Sequence, residues 1–268
     1  MKAAILNTGE AAWVFEEHAT RLAKAFDLEV VPEPVEFNYV LGWDGDAAPG
    51  GNNFIPFESI RLASDKRLQA EVFVKYQVAT PKTFLLESQD DVEDVLEREQ
   101  HCGWVLKWPI GCGATGHRIQ EPGAPIPQDW PRPYVLQEFI KLEVPEVYRL
   151  YAVAGETFGW VARRFPPGSK TSPFVAHAQG ARYEDAGQVP PQAEVRARRA
   201  LAATNLLDSF GCADLMQDAR GNWLVLEVNT DGIFNHVDRD INVGNLAAEI
   251  DVRLAAAFHA WTNSSSNK

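Results

Sequence analysis

Sulfur is scarce in this 268-residue chain, which has three cysteines and two methionines. Cys102, Cys112 and Cys212 are an odd set without metal-like spacing, so neither a disulfide framework nor a zinc site is expected from them. Basic residues are also short: 25 Lys and Arg stand against 37 Asp and Glu, a formal net charge of -12. That balance argues against a broad nucleic-acid surface, because phosphate backbones are held mainly by Lys and Arg. An anionic ligand would need local cations or metal ions. No apolar run approaches the ~18 residues of a transmembrane helix, and residues 1–8 turn polar too soon for a signal peptide. A cytoplasmic protein with no membrane partner is the expectation. What the chain does have is 46% hydrophobic and 10% aromatic residues, which excludes global disorder. The length gives room for one large domain or two ordinary ones.

Phe15, Ala19, Leu22 and Phe26 step by four, three and four, which predicts a helix over 11–26. Strands are expected on either side at 3–7 and 28–31, then at 37–43, followed by a loop over 44–53. Further helices fit 64–77 (cap Ser64), 90–99, 191–209 and 245–261. Further strands fit 80–86, 103–110, 134–140, 148–154, 157–164, 211–217 and 222–229. Five prolines make 121–133 an irregular loop. The pattern is mixed α/β, β-α-β in style at the start and rich in antiparallel hairpins in the second half.

Two stretches carry chemistry. In the first, Trp104, Leu106 and Trp108 share one strand face, and Val105 and Lys107 the other. An unpaired ammonium there would lose several kcal/mol of hydration, so Lys107 needs an anion or an exit to solvent. Gly111, Gly113 and Gly116 follow, and glycines let backbone N–H groups approach a phosphate closely. The bland alternative is a lysine at a sheet edge before an ordinary hairpin. These glycines spell G-x-G-x-x-G, but no helix starts here, which removes a dinucleotide fingerprint. The lysine precedes the glycines, which removes a protein-kinase loop.

The second stretch reads as a hairpin over 211–229. Pairing Gln217 with Trp223 places Asp214 within one residue of lying opposite Glu227, and Glu227 and Asn229 share a face. Two carboxylates and a carboxamide would converge there. All three are hard oxygen donors suited to Mg²⁺ or Mn²⁺; the alternative is a solvated strand end. Between the two stretches, Arg149 is a cation embedded in an apolar strand, and the next strand ends in Arg163-Arg164. Guanidinium forks suit carboxylates and phosphates, including the protein's own acids.

Taken in order, these residues resemble those of an ATP-grasp ligase, with most similarity to the ribosomal-protein glutamate ligase and glutathione synthetase-like branch. The resemblance runs from about Ser64 to Asn229. It comprises Asp65-Lys66 opening a helix, Thr80-Pro81, Lys107 with its glycines, Gln137-Glu138-Phe139-Ile140 at the adenine hinge, Arg149, Arg163, and Asp214 with Glu227-Val228-Asn229. The separations of 41 from Lys66 to Lys107 and 11 from Glu138 to Arg149 agree with that branch.

The resemblance implies an α/β and α+β protein of ATP-grasp fold, with two α+β subdomains clasping ATP behind a short N-terminal α/β domain. The expected borders are 1–63, 64–135 and 136–262, with a disordered tail at 263–268. Lys66, Lys107, Gly111, Gly113 and Gly116 would hold phosphates, Gln137, Glu138, Phe139 and Ile140 the adenine, and Glu146 the ribose. Asp214, Glu227 and Asn229 would hold Mg²⁺ (or Mn²⁺), two ions being expected. The implied reaction joins a small-molecule or peptide carboxylate to an amine through an acyl phosphate, with Arg149 and Arg163 stabilising the charged intermediates. A homo-oligomer is compatible with it. A kinase-like phosphotransferase and a non-catalytic ATP-binding module are the alternatives.

Four departures from the family pattern stand out. The glycines read G-x-G-x-x-G where G-x-x-G-x-G is expected. Val147 replaces an acidic residue, leaving Glu146 one position off. Pro173-Phe174-Val175 stands near where a Ser-Asn pair is expected before His177. Thr230-Asp231-Gly232 follows Asn229 in place of Ser-Pro-Gly.

Overall fold

The computed structural model describes residues 2–10, 12–111, 113–230, 232, 240 and 245–265. Its first sheet is parallel, with β1 (Ala3–Asn7) between β2 (Val30–Val31) and β3 (Phe37–Gly42), and β4 (Asn52–Asn53) beyond β3. A 3-10 turn over Ala12–Phe15 leads into α1 (Glu16–Phe26), which buries Ala19, Leu22 and Phe26 as the spacing requires.

The second sheet is antiparallel, in the order β5 (Thr83–Leu86), β8 (Tyr134–Phe139), β6 (Gly103–Lys107), β7 (His117–Ile119). The helices α2 (Phe57–Ser64) and α3 (Lys66–Lys75) lead into β5, and α4 (Gln89–Arg98) follows it. The sequence pattern does not foretell α2. Asp65 separates α2 from α3 with an extended backbone, and its side chain accepts from Arg67 N, so the cap of α3 is Asp65 and not Ser64. A reciprocal Ser88–Asp91 capping box starts α4. The border expected at 135/136 would cut β8. The strand lies wholly in this sheet, because residues 135–139 complete its ladder with β6.

The third sheet is also antiparallel, in the order β11 (Arg182–Asp185), β10 (Glu156–Arg164), β9 (Glu146–Val153), β12 (Phe210–Gln217), β13 (Trp223–Asn229). Its helices are α5 (Pro191–Ala203) and α6 (Leu246–Ser265). The helix expected to reach 209 stops at Ala203, because Thr204 caps it and Asn205 turns to a φ of 55°. The last helix continues through 263–265, where a disordered tail was expected; residues 266–268 lie outside the described residues.

The core divides unevenly. Val92, Leu96, Trp104, Leu106, Trp130 and Leu136 fill the space behind the second sheet. A larger cluster joins the first and third sheets, from Ile5, Leu22 and Tyr39 to Leu150, Leu201, Phe210 and Leu254. Phe258 of α6 lies 5.4 Å from Phe26 and 5.8 Å from Phe54, and Trp261 meets Phe37 edge-on at 5.4 Å. Each such buried ring contributes about 1.5–3 kcal/mol, so the first sheet depends on the last helix. Among the described residues no helix is long and apolar enough to cross a membrane.

Candidate active site

A cavity of about 420 Å³ opens between the second and third sheets. One wall comes from β6 and the turn after it. Alternation sends Trp104 and Leu106 into the core behind the sheet, and Val105 and Lys107 into the cavity. Lys107 is 8% exposed, and burial pushes its pKa down to about 8. Glu227 offsets this in part, while Lys66 adds to it.

The turn is shaped by its glycines. Gly113 adopts a φ of 66°, and a Cβ there would lie 2.9 Å from Cβ of Ala178, so the turn touches the third-sheet half of the molecule closely. Gly111 and Gly113 line the cavity. Gly116 instead borders a smaller hollow behind the turn, where a Cβ would meet that of Trp108 at 2.3 Å. Its glycine serves packing.

Lys66, at the first turn of α3, donates to Gly111 O at 2.9 Å, and its Nζ lies 3.9 Å from Glu227 Oε2. It therefore spans from the glycine turn to the third sheet. The residues expected at an adenine hinge, Gln137, Glu138, Phe139 and Ile140, all line the cavity. Gln137 donates to Thr83 Oγ1 at 2.9 Å, which fixes its amide.

The opposite wall is built on β9, β10, β12 and β13. Asp214 pairs with Arg149 across β9–β12 and with Glu227 across β12–β13, beside a bulge at Asp214/Leu215. Arg149 grips Asp214 with two bonds, Nε to Oδ1 at 2.7 Å and Nη2 to Oδ2 at 3.0 Å. Arg163 adds a third, Nη2 to Oδ2 at 2.5 Å. Burial alone would raise the Asp214 pKa; Arg149 and then Arg163 overcome this and hold the carboxyl well below its usual range. All three groups are buried, and the trio carries one net positive charge.

Arg163, Asp214 and Glu227 line the cavity, whereas Arg149 reaches it only through Asp214. Asn229 is absent from the lining and lies beside Glu227, its Nδ2 donating to Oε1 at 3.4 Å. Glu146 lines the cavity but is engaged, accepting from Tyr148 Oη at 2.7 Å and Arg164 Nε at 2.8 Å.

For a divalent cation the donor chemistry fits. Glu227 is half-buried and its carboxylate contacts no guanidinium among its described ion pairs, Asn229 adds an amide oxygen, and Asp214 retains one lone-pair direction beyond its three bonds. A second group, Glu99, His101 and Cys102, brings donor atoms within 4.8 Å of one another. Lys82 already neutralises it by donating to Glu99 at 2.9 Å.

The sequence did not reveal His117 as a cavity residue, and it marked the segment 171–176, which also lines the cavity, only through the departure at Pro173-Phe174-Val175. The only signal for either was local: a histidine directly after the glycines, and an apolar triplet where polar residues were expected.

The sequence matches no protein-family model and no curated protein. Solved structures do match. The chain is similar to the ATP-grasp ligase PsnB complexed with minimal precursor, at TM-score 0.67 and 12% identity over 95% of this chain and 99% of that one. It is similar to D-alanine–D-alanine ligase from Bacillus anthracis complexed with ATP, at TM-score 0.68 and 16% identity over 97% and 96%. It is also similar to the macrocyclase MdnC bound with precursor peptide MdnA from Microcystis aeruginosa MRC, at TM-score 0.64 and 12% identity over 97% and 100%. The first of these is an ATP-grasp ligase, and the chain has the ATP-grasp fold.

Proposed function

We propose that the chain is an ATP- and Mg²⁺-dependent carboxylate–amine ligase. The observation that carries this is the single cavity with two kinds of wall. Two lysines and a glycine turn face one side, and Arg163, Asp214 and Glu227 face the other. Phosphoryl transfer asks a protein for positioning and charge neutralisation more than for covalent help, and this cavity offers both.

In this reading Lys66 and Lys107 hold the phosphates of ATP and the backbone at residues 137–140 holds the base. Glu227 and Asn229, with the free direction of Asp214, hold Mg²⁺ or Mn²⁺, one or two ions, which neutralise phosphate charge when bound. Arg163 orients the substrate carboxylate. One of its oxygens attacks the γ-phosphorus and ADP leaves, giving an acyl phosphate. The amine then attacks the acyl carbon, phosphate leaves, and the amine gives up a proton. Arg149 acts through Asp214, keeping Arg163 and the hairpin in register. The branch proposed is the glutamate-ligase and glutathione synthetase-like one, on the spacing of Lys66, Lys107, Glu138 and Arg149. Two structural neighbours were solved with precursors, so peptides join free amino acids as proposed substrates.

The test is ADP release and product mass across a panel of amino acids and peptides, with hydroxylamine as trap. Carboxylate-dependent ADP release with hydroxamate formation is expected, and Glu227→Gln should abolish it with little loss of stability. A stable phosphorylated product with no joined partner would favour a kinase. Failure of folded protein to bind ATP with either metal would remove the reading.

A further inference from the structure

His117 stands directly opposite Lys107 in the β6–β7 ladder, so both side chains leave the sheet on the same face. Its ring lines the main cavity and also the hollow behind the glycine turn. Three features describe what the ring meets. Its Nδ1 is buried, and the Gly116 backbone is the one neighbour that favours the protonated ring. Burial, then Lys107, then Lys66 hold its pKa far below the usual imidazole range, so the ring is neutral at physiological pH. Phe174 lies edge-on at 5.6 Å and also meets Phe139 of the hinge at 6.2 Å.

The ring therefore sits between the aromatic end of the cavity and its lysine end. Because the residue lines the cavity opposite Lys107, its ring is within reach of an incoming molecule. A neutral imidazole offers one donor and one acceptor. Beside two ammonium groups, the partner that suits it is an oxygen that is anionic or a hydroxyl. A nucleotide lying from hinge to lysines presents both at one place, its ribose and α-phosphate.

We infer that His117 is a nucleotide-contacting residue, its imidazole hydrogen-bonding the ribose–α-phosphate portion of ATP. This rests on the ATP site proposed above and adds a residue to it. The outer phosphates belong to the lysines and the base to the hinge. His117 serves the segment common to ATP, ADP and AMP.

That commonality sets the test. Calorimetry with Mg²⁺ compares ATP, ADP and AMP on the wild-type chain, His117→Ala and His117→Asn. His117→Ala should weaken all three by the same factor, about tenfold for one lost hydrogen bond. His117→Asn, whose amide keeps a donor and an acceptor at this position, should recover part of it. The ring ¹⁵N shifts of His117 in the wild-type chain should also move on adding ADP, a readout that keeps the test open if His117→Ala fails to fold. Wild-type binding with unchanged affinity in His117→Ala and a silent ring would overturn the assignment alone. A loss confined to ATP would place the ring at the outer phosphates and overturn it too. No binding of any of the three by wild-type protein would remove the ATP reading and this inference with it.

Discussion

Gln69 and Val228 bond each other twice. The Gln69 side-chain oxygen accepts from Val228 N at 2.9 Å, and its amide nitrogen donates to Val228 O at 3.2 Å. The amide also donates to Ala63 O at 2.7 Å. β13 is an edge strand, and this buried side chain takes the place of a strand neighbour. It ties α3, which begins with Lys66, to the strand that carries Glu227 and Asn229. Gln69→Leu would bury an N–H and a C=O without partners, at about 1–3 kcal/mol each. Urea unfolding should show a lower midpoint at an unchanged slope, and ATP binding should weaken with it. An unchanged midpoint would mean that water replaces the amide.

Asp214→Asn should be among the most destabilising single changes in the chain. It leaves two buried guanidiniums facing a neutral amide, and breaking a buried pair costs about 3–5 kcal/mol. The pH dependence follows from the sign of the shift. The folded-state pKa of Asp214 is depressed, so its contribution is complete above the ordinary Asp value near ~3.9 and is lost as pH falls through the lower folded value. Melting temperature should fall steeply below about pH 4 in the wild type, and less steeply in Asp214→Asn. Parallel profiles would assign the acid sensitivity to other carboxylates.

Lys107 should make anion binding sensitive to alkali. Burial lowers its pKa to about 8, so in the free protein the ammonium is lost as pH rises through that value. A bound polyphosphate raises the pKa again, and binding above pH 8 must then take up a proton. ATP affinity should be flat below pH 8 and fall above it. The calorimetric enthalpy at alkaline pH should vary with the ionisation heat of the buffer. Lys107→Met should bind more weakly and lose the buffer dependence. A wild-type enthalpy independent of buffer at pH 8.5–9 would show that Lys107 does not gain a proton.

The sequence made the local parts of the site legible because each follows from a short period. Alternation alone separated Val105 and Lys107 from Trp104 and Leu106. Pairing Gln217 with Trp223 brought Asp214 to Glu227 within one residue, and the bulge after Asp214 supplies the missing residue, so the two stand directly opposite. The meeting of Arg149 and Arg163 on Asp214 was not legible. It depends on β12 pairing with β9 and β9 with β10, which join residues 51 and 65 positions apart. Pairing with the protein's own acids is the alternative the sequence left open for these arginines, and in the structure both do so, on the residue expected to hold metal. β7 was hidden for a related reason: its three residues follow a glycine turn and precede five prolines, and only the ladder to β6 makes them a strand. α2 lacks a cap signal of its own, Pro56 preceding it with no side-chain hydrogen bond.

The aromatic contact between the first sheet and α6 bears on how the chain is made. Phe37 and Phe54 leave the ribosome about two hundred residues before Phe258 and Trp261, the rings that cover them. The second sheet carries a core of its own and can close as soon as residues up to 139 have emerged. A nascent chain therefore holds an unfinished first sheet until α6 emerges, with apolar rings exposed to whatever binds them. The first sheet thus completes its aromatic core only once residues 258–261 have been made.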